Sequence, residues 1–178
     1  VHVADMNELA TVQALAYELR NEAIDILVNN AGIYGSDKNK FGQVDVDSWI
    51  NAFQINSIAP LKVSEALIEN LRTGEEKTIA CMSSKMGSMA DNGYGNSYIY
   101  RSSKAALNAV VKSMSIDLRG DGIKCVALHP GWVKTDMGGP DAEISTQECV
   151  AQIFNNLSDL TLDDSGRFVD IDGSDIPW

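Results

Sequence analysis

Five short apolar runs alternate with amphipathic stretches along this chain, and that alternation limits its fold more than any other feature. The runs are Val1–Val3, Ile24–Val28, Thr78–Met82, Ile123–Leu128 and Arg167–Val169. Each reads as a short strand, and Ile24–Val28 and Ile123–Leu128 as strands buried in a parallel sheet. Between them apolar residues recur at helical spacing. Leu9, Val12, Leu15, Ala16 and Leu19 form one stripe; Leu107, Val110, Val111, Met114 and Leu118 form another. Further helices are expected over Asp47–Leu71, with Asp47 as N-cap, over Tyr98–Arg119, closed by Gly120, and near Thr146–Leu157. Strand–helix alternation predicts an α/β protein, a parallel sheet with helices on both faces.

In such sheets ligands gather at the carboxyl ends of the strands. Three polar or glycine-bearing breaks follow strands here: Asn29–Gly32, Ser83–Gly87 and His129–Thr135. They must therefore converge on one edge, and that edge is the expected site. Tyr100 and Lys104 fall at the start of the helix after the second break. Their spacing of four places them one above the other on a single helix face. An ammonium beside a phenol favours the phenolate, so the pair is expected to lower the Tyr100 pKa and equip it for proton transfer. A chance helix also carries such a pair, and the converging breaks are what single this one out. Pro60 lies inside the preceding helix. It cannot donate to the carbonyl four residues back, so a kink is expected, with the Asn56 carbonyl free to bind something else.

Composition excludes other classes. At 178 residues the chain is expected to form one domain, and its formal charge of −11 offers no basic patch for nucleic acid. Ten acidic residues and one basic residue, Arg167, lie between Asp136 and Trp178, a solubilising surface. No apolar run approaches the length of a membrane span. Cys81, Cys125 and Cys149 are an odd count without metal-like spacing, read as buried thiols of a reducing compartment, the cytoplasm.

Taken together, Asn29-Asn30-Ala31-Gly32 after a strand, Asn56 in a helix, Ser84 before a glycine loop, Tyr100-x-x-x-Lys104 and Pro130-Gly131-x-Val133-x-Thr135 resemble, in content and order, the short-chain dehydrogenase/reductase family. Ser83–Ser88, Tyr98–Asn108 and Leu128–Gly139 look like its branch of C-factor and sniffer-like carbonyl reductases, as does the tail Ser165–Phe168 with Ile176-Pro177-Trp178. The resemblance implies a Rossmann-like doubly wound sheet and an NAD- or NADP-dependent oxidoreductase that reduces a small-molecule carbonyl or oxidises a secondary alcohol. It implies Tyr100 as acid/base, Lys104 as the cation that tunes it and holds the nicotinamide ribose, Ser84 on the substrate oxygen, and Asn56 holding a relay water. Asp5 and Met6 would lie by the adenine, and Asn30, Ala31 and Gly32 by the adenosine ribose. Pro130, Gly131, Val133 and Thr135 would lie by the carboxamide and neighbouring phosphate. A homodimer or homotetramer through the two long helices is also implied.

Each of these residues has a plainer reading. Asp5 suits a helix N-terminus, Ser84 a loop hydroxyl, and His129 a packed residue before a turn. Trp132, Met86, Met89, Tyr94 and Met137 suit either an apolar pocket or loop anchoring. The family's Gly-rich dinucleotide turn is not found in the 178 residues. The expectation is therefore of a chain lacking the first two strands and half of the phosphate cradle. With it comes a second function, intercellular signalling or an interaction role of the C-factor kind, independent of turnover.

Overall fold

The computed structural model describes all of residues 1–178. Four strands, β1 (Ile26–Asn29), β2 (Thr78–Met82), β3 (Lys124–Leu128) and β4 (Phe168–Val169), form one sheet in the order β1-β2-β3-β4. Every neighbouring pair is parallel. Six α-helices connect or flank them: α1 (Leu9–Leu19), α2 (Val46–Phe53), α3 (Ala59–Ala66), α4 (Ile68–Thr73), α5 (Tyr98–Asp117) and α6 (Thr146–Ser158).

Strand alternation sorts the core into two layers. Ile79, Cys81, Cys125, Ala127 and Phe168 face α5 and meet Leu107, Val111 and Met114, with Leu71 of α4 beside them. Ala80, Met82, Val126, Leu128 and Val169 face the other way and meet Leu157, with Ile153 of α6 packed alongside. Every residue of β2 and β3 is buried, as runs covered on both faces should be. Helix α1 packs through Val12 against Val63 and Leu67 at the β1 end. The α/β sheet with helices on both faces is thus as the alternation requires.

Val1–Val3 differs from expectation. It forms no strand, and Val1 and Val3 are exposed. The sheet ends at β1, so the segment has no ladder to join, and Val28 of that edge strand is itself 44% exposed. The expected single helix over Asp47–Leu71 is resolved into pieces. Its N-cap is Asp45, whose carboxylate accepts from the Ser48 N–H, two residues before the expected cap. A π-helical turn at Gln54–Ile58 then separates α2 from α3, and Pro60 falls in the first turn of α3, where its missing N–H costs little. Helix α5 also ends early. A 3₁₀ turn follows it, and Gly122 rather than Gly120 takes the left-handed position, at φ +74°. No helix is long and apolar enough to cross a membrane.

The three cysteines are free and buried. Burial pushes the Cys81 and Cys125 thiols up to about 12 from an ordinary value of 9.0. From pH 9 to 12 the folded chain keeps two protons that the unfolded chain sheds, so stability falls as pH rises through that window. Lys104, pushed down by burial to about 8 from 10.5, acts in the opposite sense up to pH 10.5, one group against two. A urea-unfolding series should therefore show stability declining above pH 9. The decline should be shallower in Cys125→Ala than in the unaltered chain.

Candidate active site

The strand ends bring Asn29, Met82 and Leu128 to one edge of the sheet. The segments leaving them form the candidate site. After β1, Asn29 is buried and its amide donates to Ser64 Oγ at 3.2 Å. Met6, Asn30 and Ala31 share a cleft of about 180 Å³ with Leu27, Ile55, Ala59 and Pro60. Met6 and the Asn30–Ala31 run are thus together in one cleft. Asp5 is engaged locally: its carboxylate accepts from Asn7 N–H at 2.9 Å, at the entry to α1.

Asn56 is fully buried in the π-helical turn. Its side-chain oxygen accepts from the Ile33 N–H at 2.8 Å. Its amide nitrogen donates to the Ile33 carbonyl at 2.8 Å and to Ser103 Oγ at 2.9 Å. The expectation had centred on its main-chain carbonyl; the side chain supplies these ties. Ser103 Oγ in turn donates to the Tyr100 carbonyl at 2.9 Å, and Ser57 Oγ to the Ser103 carbonyl at 2.7 Å. The sequence pattern does not single out Ser103. Its position three residues after Tyr100, on the same inward face, was the available signal.

The turn after β2 separates two serines. Ser83 Oγ donates to Asn108 Oδ1 of α5 at 2.5 Å, which occupies it structurally. Ser84 Oγ accepts from the Met86 N–H at 3.2 Å, keeping its own proton free, and lies by the Tyr100 phenol. Gly87 lets this turn touch α5: a Cβ there would stand 2.9 Å from the Lys104 carbonyl carbon and Cβ. Arg101 fastens the loop between them, donating to the Met86 and Gly95 carbonyls.

Tyr100 and Lys104 lie one turn apart on α5, both buried. Lys104 Nζ sits 5.7 Å from the Tyr100 ring centroid and donates to the Met82 carbonyl at 2.7 Å, at the tip of β2. The Tyr100 pKa differs in sign from the expectation. Burial holds the phenol above its usual value. The Ser84 hydroxyl opposes this, and the neighbouring Tyr34 adds to it. The reason is that Lys104 is desolvated too, so its charge is itself disfavoured. The pair therefore presents a protonated phenol at neutral pH.

Pro130, Gly131, Val133 and Thr135 lie in the loop leaving β3, and the hydrogen bonds of Val133 and Thr135 stay within it. Thr135 Oγ1 accepts from Gly138 N–H at 3.1 Å, and Lys134 N–H donates to the Ile144 carbonyl at 2.9 Å beside a bridge from Val133 to Ile144. Trp132 Nε1 donates to the Gly138 carbonyl, which anchors that ring to the loop. His129 is partly buried after β3, with burial lowering its pKa and Asp170 opposing.

A parallel sheet with a buried Tyr–Lys pair at its strand ends, and an asparagine tying them to the loop after β1, defines a Rossmann-like dehydrogenase. The family model for short chain dehydrogenases matches residues 1–145, and the chain belongs to that family, whose members are nicotinamide-dinucleotide oxidoreductases. The C-signal of Myxococcus xanthus is 43% identical over 167 residues, 94% of this chain and 100% of that protein. The carbonyl reductase Sniffer of D. melanogaster superposes with a TM-score of 0.90 at 32% identity, covering 98% of this chain and 76% of Sniffer. The NADPH-bound carbonyl reductase from chicken fatty liver gives a TM-score of 0.90 at 33% identity, covering 99% of this chain and 76% of that one.

Replacing Gly87 by Ala should force the turn and α5 apart, because the atoms met are backbone and Cβ. We expect a loss of about 1–3 kcal/mol in urea unfolding. Lys104 should titrate closer to its ordinary value in that variant, measured by NMR of its ε-methylene.

Proposed function

We propose that this chain carries the proton-transfer centre of an NAD- or NADP-dependent carbonyl reductase. The observation that carries the reading is geometric: a buried Tyr100 phenol with Lys104 one turn along α5, the Lys104 amine held on the tip of β2, and Ser84 beside the phenol. A protonated phenol is the acid that reduction of a carbonyl needs; run in reverse, the same group takes a proton from an alcohol.

The nicotinamide dinucleotide implied by the family fits part of the site. Gly32 presents a bare Cα, and a Cβ there would stand 3.3 Å from Asn56 Oδ1 and 3.4 Å from Lys104 Nζ, so glycine leaves the space above the amine most open. Lys104 spends one of its three donors on Met82, leaving two for ribose hydroxyls. Tyr100 would share the ribose with Lys104. Asn30, Ala31 and Gly32 would line the adenosine ribose, and Asp5 and Met6 the adenine. Pro130, Gly131, Val133 and Thr135 would flank the carboxamide end. The phosphates would lack the backbone donors of a Gly-rich turn within these 178 residues. When bound, the cofactor supplies the hydride.

The protein's own work is then acid catalysis and orientation. Ser84 Oγ, with its proton free, donates to the substrate carbonyl oxygen and fixes it beside the Tyr100 hydroxyl. Tyr100 delivers its proton to that oxygen as the bond order falls. Lys104 stabilises the phenolate left behind, below the pH of about 8 at which it loses its own charge. Asn56 holds Ile33 and Ser103 through its side chain so that the loop after β1 and the Tyr100 turn of α5 keep their spacing, and its main-chain carbonyl would hold the relay water. Val46, Ile50 and Ile58 are exposed along α2 and its π-helical turn, which supports assembly of two or four copies through the long helices.

Tyr100→Phe should lower NAD(P)H-dependent carbonyl reduction by about 10²–10⁴-fold while leaving nucleotide binding, read by thermal shift, in place. Reduction at the unaltered rate would remove Tyr100 from its role. A second reading, a signalling or interaction protein acting without turnover, is favoured by the full-length match to C-signal. Intercellular signalling that survives in Tyr100→Phe/Lys104→Ala supports it, and loss of signalling in that variant counts against it.

A further inference from the structure

Tyr34 lies outside the residues assigned so far, in the loop that follows Gly32. Its ring stacks on that of Tyr100, with centroids 4.6 Å apart and planes 25° from parallel. Its hydroxyl is hydrogen-bonded to Ser97 Oγ at 2.9 Å. Ser97 is the N-cap of α5 and holds a left-handed backbone, φ +49°. Asn96 before it holds φ +55°, and Gly95 holds φ +64°. Two consecutive non-glycine residues in that region are strained, and strain persists only where surroundings enforce it. Tyr34 is thus tied to the strained entry of α5 at one end and to the ring of Tyr100, three residues further on, along its face.

We propose that Tyr34 is a positioning residue for Tyr100: the stacked ring holds the phenol in one orientation and shields it from water, while the bond to Ser97 keeps α5 starting where that orientation requires. This rests on the reading of Tyr100 as the proton donor.

Offset stacking at this separation is favourable beyond the area it buries, and it fixes the plane of both rings. The shielding has a chemical effect. Burial is the largest cause of the raised Tyr100 pKa, and the stacked Tyr34 ring is part of what buries it; the Tyr34 phenol adds a smaller rise of its own through charge. The other groups facing the phenol are Ser84, from the turn after β2, and Lys104, one turn along α5. Tyr34 alone stacks ring on ring with the phenol. Removing the Tyr34 ring admits water, which favours the phenolate, so the titration must move to lower pH. Removing only its hydroxyl leaves the stack and the shielding in place.

The test is an NMR titration of the whole chain labelled with ¹³Cζ-tyrosine, with the Tyr100 signal assigned by its loss in Tyr100→Phe. In Tyr34→Ala the Tyr100 midpoint should fall by about one pH unit, and in Tyr34→Phe it should stay close to that of the unaltered chain. A folded Tyr34→Ala with an unmoved midpoint overturns the proposal. If Tyr34→Ala does not fold, the unaltered chain decides. Tyr100 ring protons shifted upfield by the Tyr34 ring, and restored in Tyr34→Leu, support the stack; unshifted protons overturn it. The same variants are assayed for carbonyl reduction. A fall in kcat at constant KM in Tyr34→Ala, restored in Tyr34→Phe, supports the positioning role. Unchanged kcat in Tyr34→Ala overturns that role. An unaltered chain that shows no hydride transfer, while its Tyr100 midpoint still moves in Tyr34→Ala, removes the catalytic reading and leaves the stack as the cause of the shielding.

Discussion

The side chain of Asn56 holds together three segments that no strand connects. One carboxamide bridges both polar groups of the Ile33 backbone and reaches Ser103 on α5. Ser103 passes the tie to the Tyr100 carbonyl. A buried amide has at most four hydrogen-bonding positions, and protein groups fill three of them here. Losing it would strand several buried polar groups at once, each costing about 1–3 kcal/mol. The spacing between the loop after β1 and the phenol of α5 therefore depends on one side chain, and the rest of the site is arranged around that spacing.

Burial rather than charge sets the electrostatics. Moving the Lys104 amine from 10.5 to about 8 corresponds to roughly 3 kcal/mol against its ammonium. An ammonium 5.7 Å from a phenolate, at the effective dielectric that suits protein interiors, gives attraction of about the same size. The two effects are matched in scale, so the phenol is protonated at neutral pH and Lys104 remains close to the point at which it changes charge.

Much of this was legible in the sequence, for identifiable reasons. Strands β2 and β3 read clearly because they are buried on both faces, and their apolar runs have no polar interruption. The convergence of Gly32, Ser84 and Tyr100 followed from parallel topology alone. Val1–Val3 has the composition of a strand, but strand formation needs a neighbouring ladder, which composition cannot supply. The stack of Tyr34 on Tyr100 joins residues 66 positions apart across a loop with no periodicity, so no local pattern announced it. The sign of the Tyr100 shift was missed because helical spacing shows which charges are near but not how dry their surroundings are.

The π-helical turn at Gln54–Ile58 carries a consequence for chain length. Each residue of an α-helix advances the side chains by about 100°, and a π turn absorbs one extra residue. The faces of α2 and α3 are therefore out of phase by one position, and Asn56 points inward only because of that surplus. A single-codon deletion between Trp49 and Pro60 would let the helix run regularly and swing Asn56 away from Ile33. Among chains of this kind, the exposed positions of the segment should accept substitutions, whereas Asn56 should not, and gaps should be tolerated hardly at all.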